Sequence, residues 1–313
     1  MNDDSLLSHP HDIAAHALAR EDGEVALVFV TAVEGGSVRA PGLRMAIARD
    51  GGVIGFVSNG CVEADLIATA QRAMADGAVT AVSYGRDSGR IDIVLPCGGR
   101  VDLTVVPLAP RHRAALAAMV ADTRRSGQLV LSASGGLAWQ PGAAGPAGGR
   151  QVFPVHPKIR LVVIGVGTEA LLLARLASGA DMQVEVVSPD EITLERAGAL
   201  GIPVQPLLGL SSSPALRIDP LTAVALMFHD HEWETRLLAD VLASPAFYVG
   251  ALGSTRAHGR RIEALRAAGC GRDALERIRA PIGMVHRLRD PNLLAASVIA
   301  EVAAAFQERF EAF

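Results

Sequence analysis

The sequence predicts an α/β protein in two parts, an N-terminal mixed α+β domain followed by a C-terminal Rossmann-like domain built on a doubly wound parallel sheet. Three observations predict it. From residue 158 onward, apolar runs of strand length alternate with helix-length segments, the pattern of a parallel sheet with helical crossovers. Before residue 132 the strand-like segments pair as hairpins, most clearly in "LRMAIARDGGVIGFVS", which turns on Asp50-Gly51-Gly52. Between the two lies "GGLAWQPGAAGPAGGRQVFPVHP", dense in glycine and proline and poor in periodic pattern. Residues 133–157 therefore read as a linker with room for a short hairpin, and the domains are expected at 1–132 and 158–313.

The elements follow in order. "EVALVFVTAVEGGSV" is strand-like, and the Asp50 hairpin comes after a Gly-Pro-interrupted loop. A helix is expected from about Cys61 to Asp76, then strands at "AVTAVSY", "RIDIVLP" and "RVDLTVVPL". Pro110 opens a helix over "RHRAALAAMVADTRRSG", since proline lacks only an amide that the first helical turn leaves free anyway. In the second half, "IRLVVIGVG" is a buried strand, "TEALLLARLASGA" a helix and "MQVEVVS" a second strand. A helix near Glu191–Leu200, a strand at "TAVALMF" and a helix from about Glu232 come next. They are followed by the strand "AFYVGAL", the helix "GSTRAHGRRIEALRAAG" and a last helix from Asn292 to Phe310.

Composition excludes several classes. With 313 residues, half of them hydrophobic and 20% charged, the chain is long enough to bury a core in each of two domains. A net charge of −4 leaves no electrostatic footprint for nucleic acid. Lys158 is the single lysine, so lysine Schiff-base chemistry is confined to that position. Cys61, Cys97 and Cys270 are too few for a disulfide framework and show no zinc spacing. The start "MNDDSLLSHPHD" lacks the basic and apolar parts of a signal peptide, and no apolar run spans a membrane. The expected location is the cytoplasm, with reduced thiols.

Gly165-Val166-Gly167-Thr168-Glu169-Ala170 follows a strand and opens a helix, the context that gives a G-x-G-x-x-A match its meaning. The first glycine is expected to permit the tight turn and the second to admit a phosphate, which the helix amides would hold. The second strand ends at Ser188, where dinucleotide-binding halves carry an acid for the ribose; Asp190 stands two residues on. "FHDHEWE", with His229, Asp230, His231 and Glu232, reads as a metal-ligating loop or, more simply, as a loop that caps the next helix. "ALGSTRAHGRR" begins a helix at Gly253 and Ser254 with Arg256, Arg260 and Arg261, which suits a phosphate or makes a solvated basic face.

Two thiols sit beside glycines in the first half. With Gly60 as N-cap, Cys61 falls at N1, where the helix dipole favours a thiolate, and Glu63 at N3, where its charge opposes one. Cys97 precedes Gly98 and Gly99 at the tip of a second expected hairpin, where glycines let backbone amides approach a ligand. The plain alternative is a pair of buried structural cysteines. No histidine is close in sequence to serve either thiol as a base.

Several stretches taken together resemble the XdhC/CoxI family of accessory proteins for molybdenum hydroxylases: "EGGSVRAPGLRM", "GFVSNGCVEADL", "LPCGG", "IGVG", "HDHE", "YVGALGSTRAHGRR" and "RIRAPIGM", in this order along the chain. The chain departs from the family's pattern at Asn59, Thr168, Ser188 and the "VHRLRDPN" segment. The resemblance implies a chaperone, without turnover of its own, that binds molybdenum cofactor as molybdopterin or its cytosine dinucleotide form. It implies that the protein assists the cofactor's sulfuration and protection and inserts it into a hydroxylase apoenzyme of the xanthine dehydrogenase type. A homodimer and a cysteine desulfurase partner also follow from the resemblance. Cys61 and Cys97 are then expected at the metal end, since sulfur suits a soft metal, with Glu63, Gly98 and Gly99 beside them. Gly165, Gly167, Ser254 and Arg256 are expected to hold phosphate, and Ser37 and Arg39 to add polar contacts. Two other readings stay open: an NAD(P)-dependent oxidoreductase using the glycine turn, and an interaction protein whose Rossmann half is a docking scaffold.

Overall fold

A computed structural model of the chain describes residues 9–35, 40–58, 60, 62–89, 95, 98–142, 149–208, 216–228 and 231–310. The chain divides into two compact units, Met1–Pro157 and Lys158–Phe313.

In order, unit one contains α1 (Pro10–Leu18), β1 (Val25–Glu34), β2 (Gly42–Ala48), β3 (Val53–Gly55), α2 (Glu63–Asp76), β4 (Thr80–Gly85), β5 (Arg100–Pro107), α3 (Pro110–Ala121), β6 (Gly127–Leu131), β7 (Leu137–Pro141) and β8 (Gln151–Val155). An antiparallel sheet runs β3-β2-β1-β5-β4, and a smaller one runs β7-β6-β8. Both faces of the larger sheet are buried, and alternation along β1 divides them. Val25, Leu27 and Phe29 pack with α1, α3 and the smaller sheet, and Phe29 stacks on Phe153 at 5.4 Å. Ala26, Val28 and Val30 face α2 through Leu66, Ala70 and Ala73. A period of 2 read against a period of 3.6 gives each face one partner.

The described residues of the segment expected to be a linker include two strands that pair with β6 rather than with each other. Residues 137–141 and 151–155 are β7 and β8, both antiparallel to β6. Phe153 and Val155, two residues apart, reach the core, and β7 is mostly exposed, which explains its weak apolar signal. Residues 143–148 and the expected strand at "RIDIV" lie outside the described residues. Helix α2 starts at Glu63, two residues later than expected, with Val62 as N-cap.

In unit two the order is β9 (Arg160–Gly165), α4 (Gly167–Gly179), β10 (Gln183–Ser188), α5 (Glu191–Ala199), β11 (Val204–Pro206), β12 (Thr222–Met227), α6 (His231–Ala243), β13 (Tyr248–Ala251), α7 (Thr255–Ala267), α8 (Arg272–Glu276), β14 (Ile278–Arg279) and α9 (Pro291–Phe310). The sheet is parallel with strand order β11-β10-β9-β12-β13-β14. This is the doubly wound Rossmann order: the chain moves outward from β9 in one direction, returns, and moves outward in the other. The order reverses between β9 and β12, so ligand-binding turns are expected at the carboxyl ends of these strands and their neighbours. No helix among the described residues is long and apolar enough to cross a membrane.

Candidate functional site

Unit one gathers its motif loops at one end of the larger sheet. Antiparallel pairing puts the end of β1, the start of β2 and the end of β3 on the same side. Glu34 and Gly85 both pair with Arg100, which adds the end of β4 and the start of β5. The described chain that leads toward Ser37 and Arg39, toward Cys61, and toward Cys97 therefore leaves from the same end of the strands, with β3 and β4 at opposite edges of the sheet. The contact is close where it is described: a Cβ on Gly35 would stand 3.2 Å from the Gly99 Cα. Ser37, Arg39, Cys61 and Cys97 themselves lie outside the described residues.

Two expectations change here. The Gly98 amide donates to the Leu95 carbonyl at 2.9 Å, closing a tight turn, and is thus engaged within the chain. The Arg86 guanidinium and amide donate to the Gly98 and Gly99 carbonyls at 3.3 and 3.1 Å. Glu63 is N1 of α2, and its carboxylate folds back to accept from the Ser58 amide and hydroxyl at 2.7 and 2.6 Å. It also accepts from the Val62 amide at 3.2 Å. Burial would raise the Glu63 carboxyl, but these hydrogen bonds outweigh it and hold the group below its ordinary value. Asp65, in the same helical turn, accepts from the buried Tyr84 hydroxyl at 2.7 Å. The helix start beside Cys61 thus carries two carboxylates, which oppose a thiolate more strongly than Glu63 alone would.

In unit two the glycine motif makes the turn for reasons of packing. A Cβ on Gly165 would lie 2.6 Å from the Met227 carbonyl carbon on neighbouring β12, so the strand contact demands glycine. Gly167 has φ +79, and the space beside it is open. Ala170 is fully buried, as close helix–strand packing requires. The donors are less favourable to an anion. The Gly167 amide donates to Thr193 Oγ1 at 3.0 Å, and that hydroxyl donates to Asp190 at 2.5 Å. Glu169 adds a carboxylate to the first turn of α4. Asp190 is the N-cap of α5, accepts from the Thr193 amide at 2.8 Å, and is held below the usual carboxylate range chiefly by the Thr193 hydroxyl. Ser188 is fully buried and accepts from the Asp190 amide at 3.1 Å. The two groups nearest the ribose position are therefore both committed to the turn itself.

The turn from β13 to α7 differs. Ser254 is the exposed N-cap of α7, and its hydroxyl oxygen accepts from the Ala257 amide at 3.2 Å. Arg256, in the first turn, is exposed. Arg261, expected beside it on a basic surface, instead turns inward. Its Nη2 donates to Glu234 of α6 at 2.5 Å and to the Leu252 carbonyl at 2.6 Å. The two side chains of this ion pair are 1% and 3% exposed. His258, on the same face of α7, is held below its ordinary value by burial and by the Arg261 charge, with Glu234 opposing.

The "RIRAPIGM" segment is tied to β13 through β14 and to α9 through Gly283. Glu301 of α9 accepts from the buried Tyr248 hydroxyl at 2.6 Å and from the Gly283 amide at 2.7 Å. Burial and the adjacent carboxylate push the Tyr248 hydroxyl's pKa upward. His229 and Asp230 lie outside the described residues. Among the described residues no group of three or more His, Cys, Asp or Glu side chains could hold a metal ion.

Comparison with known proteins gives this arrangement a context. Residues 161–302 match the XdhC Rossmann domain, and residues 18–85 match the XdhC and CoxI family. The chain is 33% identical to the molybdenum cofactor insertion chaperone PaoD of Escherichia coli K12, over 93% of this chain and 86% of that one. It is 23% identical to a probable xanthine dehydrogenase subunit of Bacillus subtilis 168, over 91% and 94% of the two chains. A crystal structure from Bacillus halodurans, described as a xanthine dehydrogenase, superposes with a TM-score of 0.80 over 97% of each chain. At 20% identity that likeness bears on the fold.

Proposed function

This chain belongs to the XdhC and CoxI family, and on that premise we propose that it is a maturation factor that carries molybdenum cofactor to an apo-hydroxylase. The observation that carries the reading is the similarity to a molybdenum cofactor insertion chaperone along nearly the whole chain, covering both units. The cofactor is cargo here: a pterin with a phosphate tail and a dithiolene-held metal.

Each unit, taken by itself, carries residues whose chemistry suits one of these ends. Cys61, in the sequence after β3, and Cys97, in the sequence before β5, supply sulfur for the metal-bearing end, and Ser37 and Arg39 add polar groups. The phosphate is better matched to Ser254 and Arg256 on α7 than to Gly165 and Gly167, because the Gly167 amide is engaged by Thr193 and Glu169 repels an anion. Retention of a sulfurated cofactor, with a cysteine desulfurase as sulfur source, is the finer form of the same proposal. Hydride transfer with NAD(P) would need a ribose-binding acid, and Asp190 would have to leave its cap to provide one.

The test is activation of a molybdenum hydroxylase apoenzyme of the xanthine dehydrogenase type by purified chain loaded with cofactor. Wild type is expected to restore activity, and the Cys61→Ala/Cys97→Ala double variant to lose most of that effect while binding phosphate normally. Full activation by the double variant would remove the thiols from the reading. No activation by wild type, with cofactor demonstrably bound, would remove the insertion role.

A further inference from the structure

Arg261 carries hydrogen-bonding capacity that the folded chain leaves unmet. A guanidinium presents N–H donors on three nitrogens. Among the described residues only Nη2 is engaged, by Glu234 and the Leu252 carbonyl; Nε and Nη1 are buried and have no partner there. Leaving buried donors unsatisfied opposes folding, and each such group calls for an explanation, a bound oxyanion among them.

The position narrows the explanation. The guanidinium lies against Leu252 and Gly253, in the turn that leads into the thirteen-residue helix α7. Helix amides and an exposed serine cap begin at the next residue, at the carboxyl edge of a doubly wound sheet. Gly253, at φ +133, lets the turn pack against the guanidinium: a Cβ there would stand 3.4 Å from Arg261 Nη2 and 3.2 Å from the Ala257 Cβ. Glu234 fixes Nη2 and offsets the single charge of the guanidinium, so among the described residues the other two nitrogens stand as unpaired hydrogen-bond donors rather than as a free charge.

We propose that the β13–α7 turn is an oxyanion receptor in which Arg261 Nε and Nη1, together with the Ser254 hydroxyl, bind one phosphate group of the cargo. The inference rests on the cofactor-carrying reading for the identity of that phosphate and on the unpaired donors for the receptor itself. Arg256, exposed in the first turn of α7, adds a positive charge that draws the anion in.

Calorimetric titration of the full-length chain with inorganic phosphate and pyrophosphate tests the receptor. Arg261→Lys keeps a charge opposite Glu234 but removes the Nε and Nη1 geometry, and it is expected to weaken binding at least about tenfold. Gly253→Ala, strained at φ +133 and set against Arg261 Nη2, should weaken binding in the same direction by displacing the guanidinium. Thermal unfolding of each variant identifies any that fails to fold. Folded variants that bind as wild type does, or a wild type that binds neither anion, overturn the proposal. The same samples are assayed for pterin retention: Arg261-dependent phosphate binding by a chain that retains no pterin keeps the receptor and discards the cofactor reading. Pterin retention that is indifferent to both variants does the opposite.

Discussion

At the turn from β9 to α4, the Gly167 amide is closed by Thr193 and a carboxylate, Glu169, stands in the first helical turn. At the turn from β13 to α7, an exposed serine caps the helix, and a buried guanidinium, with two nitrogens unpaired among the described residues, lies against Leu252 and Gly253. Both turns sit at the carboxyl edge of one parallel sheet, and only the first carries the G-x-G-x-x-A pattern. The difference teaches that the glycines describe how tightly strand and helix can join. Which anion binds depends on which donors remain open after the turn has satisfied its own.

Four measurements distinguish the two turns. The largest expected effect is at the second turn. Arg261→Met leaves Glu234 buried without its partner, which costs about 3–5 kcal/mol in comparable cases. Urea denaturation should show that loss, and the double variant Arg261→Met/Glu234→Met should recover most of it; a single variant as stable as wild type would mean the pair is hydrated. At the first turn, Gly165→Ala drives a methyl into the β12 backbone and should cost about 1–3 kcal/mol, near the upper end because backbone cannot yield. Gly167→Ala meets open space and bears only the strain of its positive φ, about 1–2 kcal/mol. The reverse ranking would refute the packing account of Gly165.

Thr193→Val should cost about 1 kcal/mol, since it leaves the Gly167 amide and Asp190 each short of one bond. It should not change phosphate affinity; a marked gain would show that the first turn is an anion site held shut. The smallest effect is on pH. Burial holds both His112, in unit one, and His258, in unit two, below their ordinary values. The unfolded chain then binds more protons than the folded one near and below a pH of about 6.5, so stability is present above that value and declines as pH falls through it. Melting at pH about 7.5 and about 5.5 measures the decline, and His258→Gln should reduce the part that belongs to unit two.

Much of the fold is legible in the sequence because its signals are long. Alternation along β1, the Asp50 hairpin and the β/α rhythm of unit two each extend over many residues. The short strands β7 and β8 are hidden by glycine and proline, although Phe153 and Val155 at i, i+2 hint at a buried face. By charge alone, Arg261 reads with Arg256 and Arg260 as one basic surface. Its register says otherwise: Ala257, Arg261 and Leu265 lie at i, i+4 and i+8, and all three are buried. Glu234 likewise falls four residues before buried Leu238 on α6. Two opposite charges on the apolar stripes of neighbouring helices are a detectable sign of a buried pair. What no sequence pattern indicates is that Thr193 closes the Gly167 amide, because that bond joins residues 26 positions apart across α4 and β10.

The most direct test of the account is to load the purified chain with molybdenum cofactor, separate it by gel filtration, and oxidise the protein fraction to release fluorescent pterin. The account predicts that pterin travels with the wild-type chain and is depleted in the Arg261→Lys variant. Pterin that elutes entirely free of the wild-type chain would contradict it.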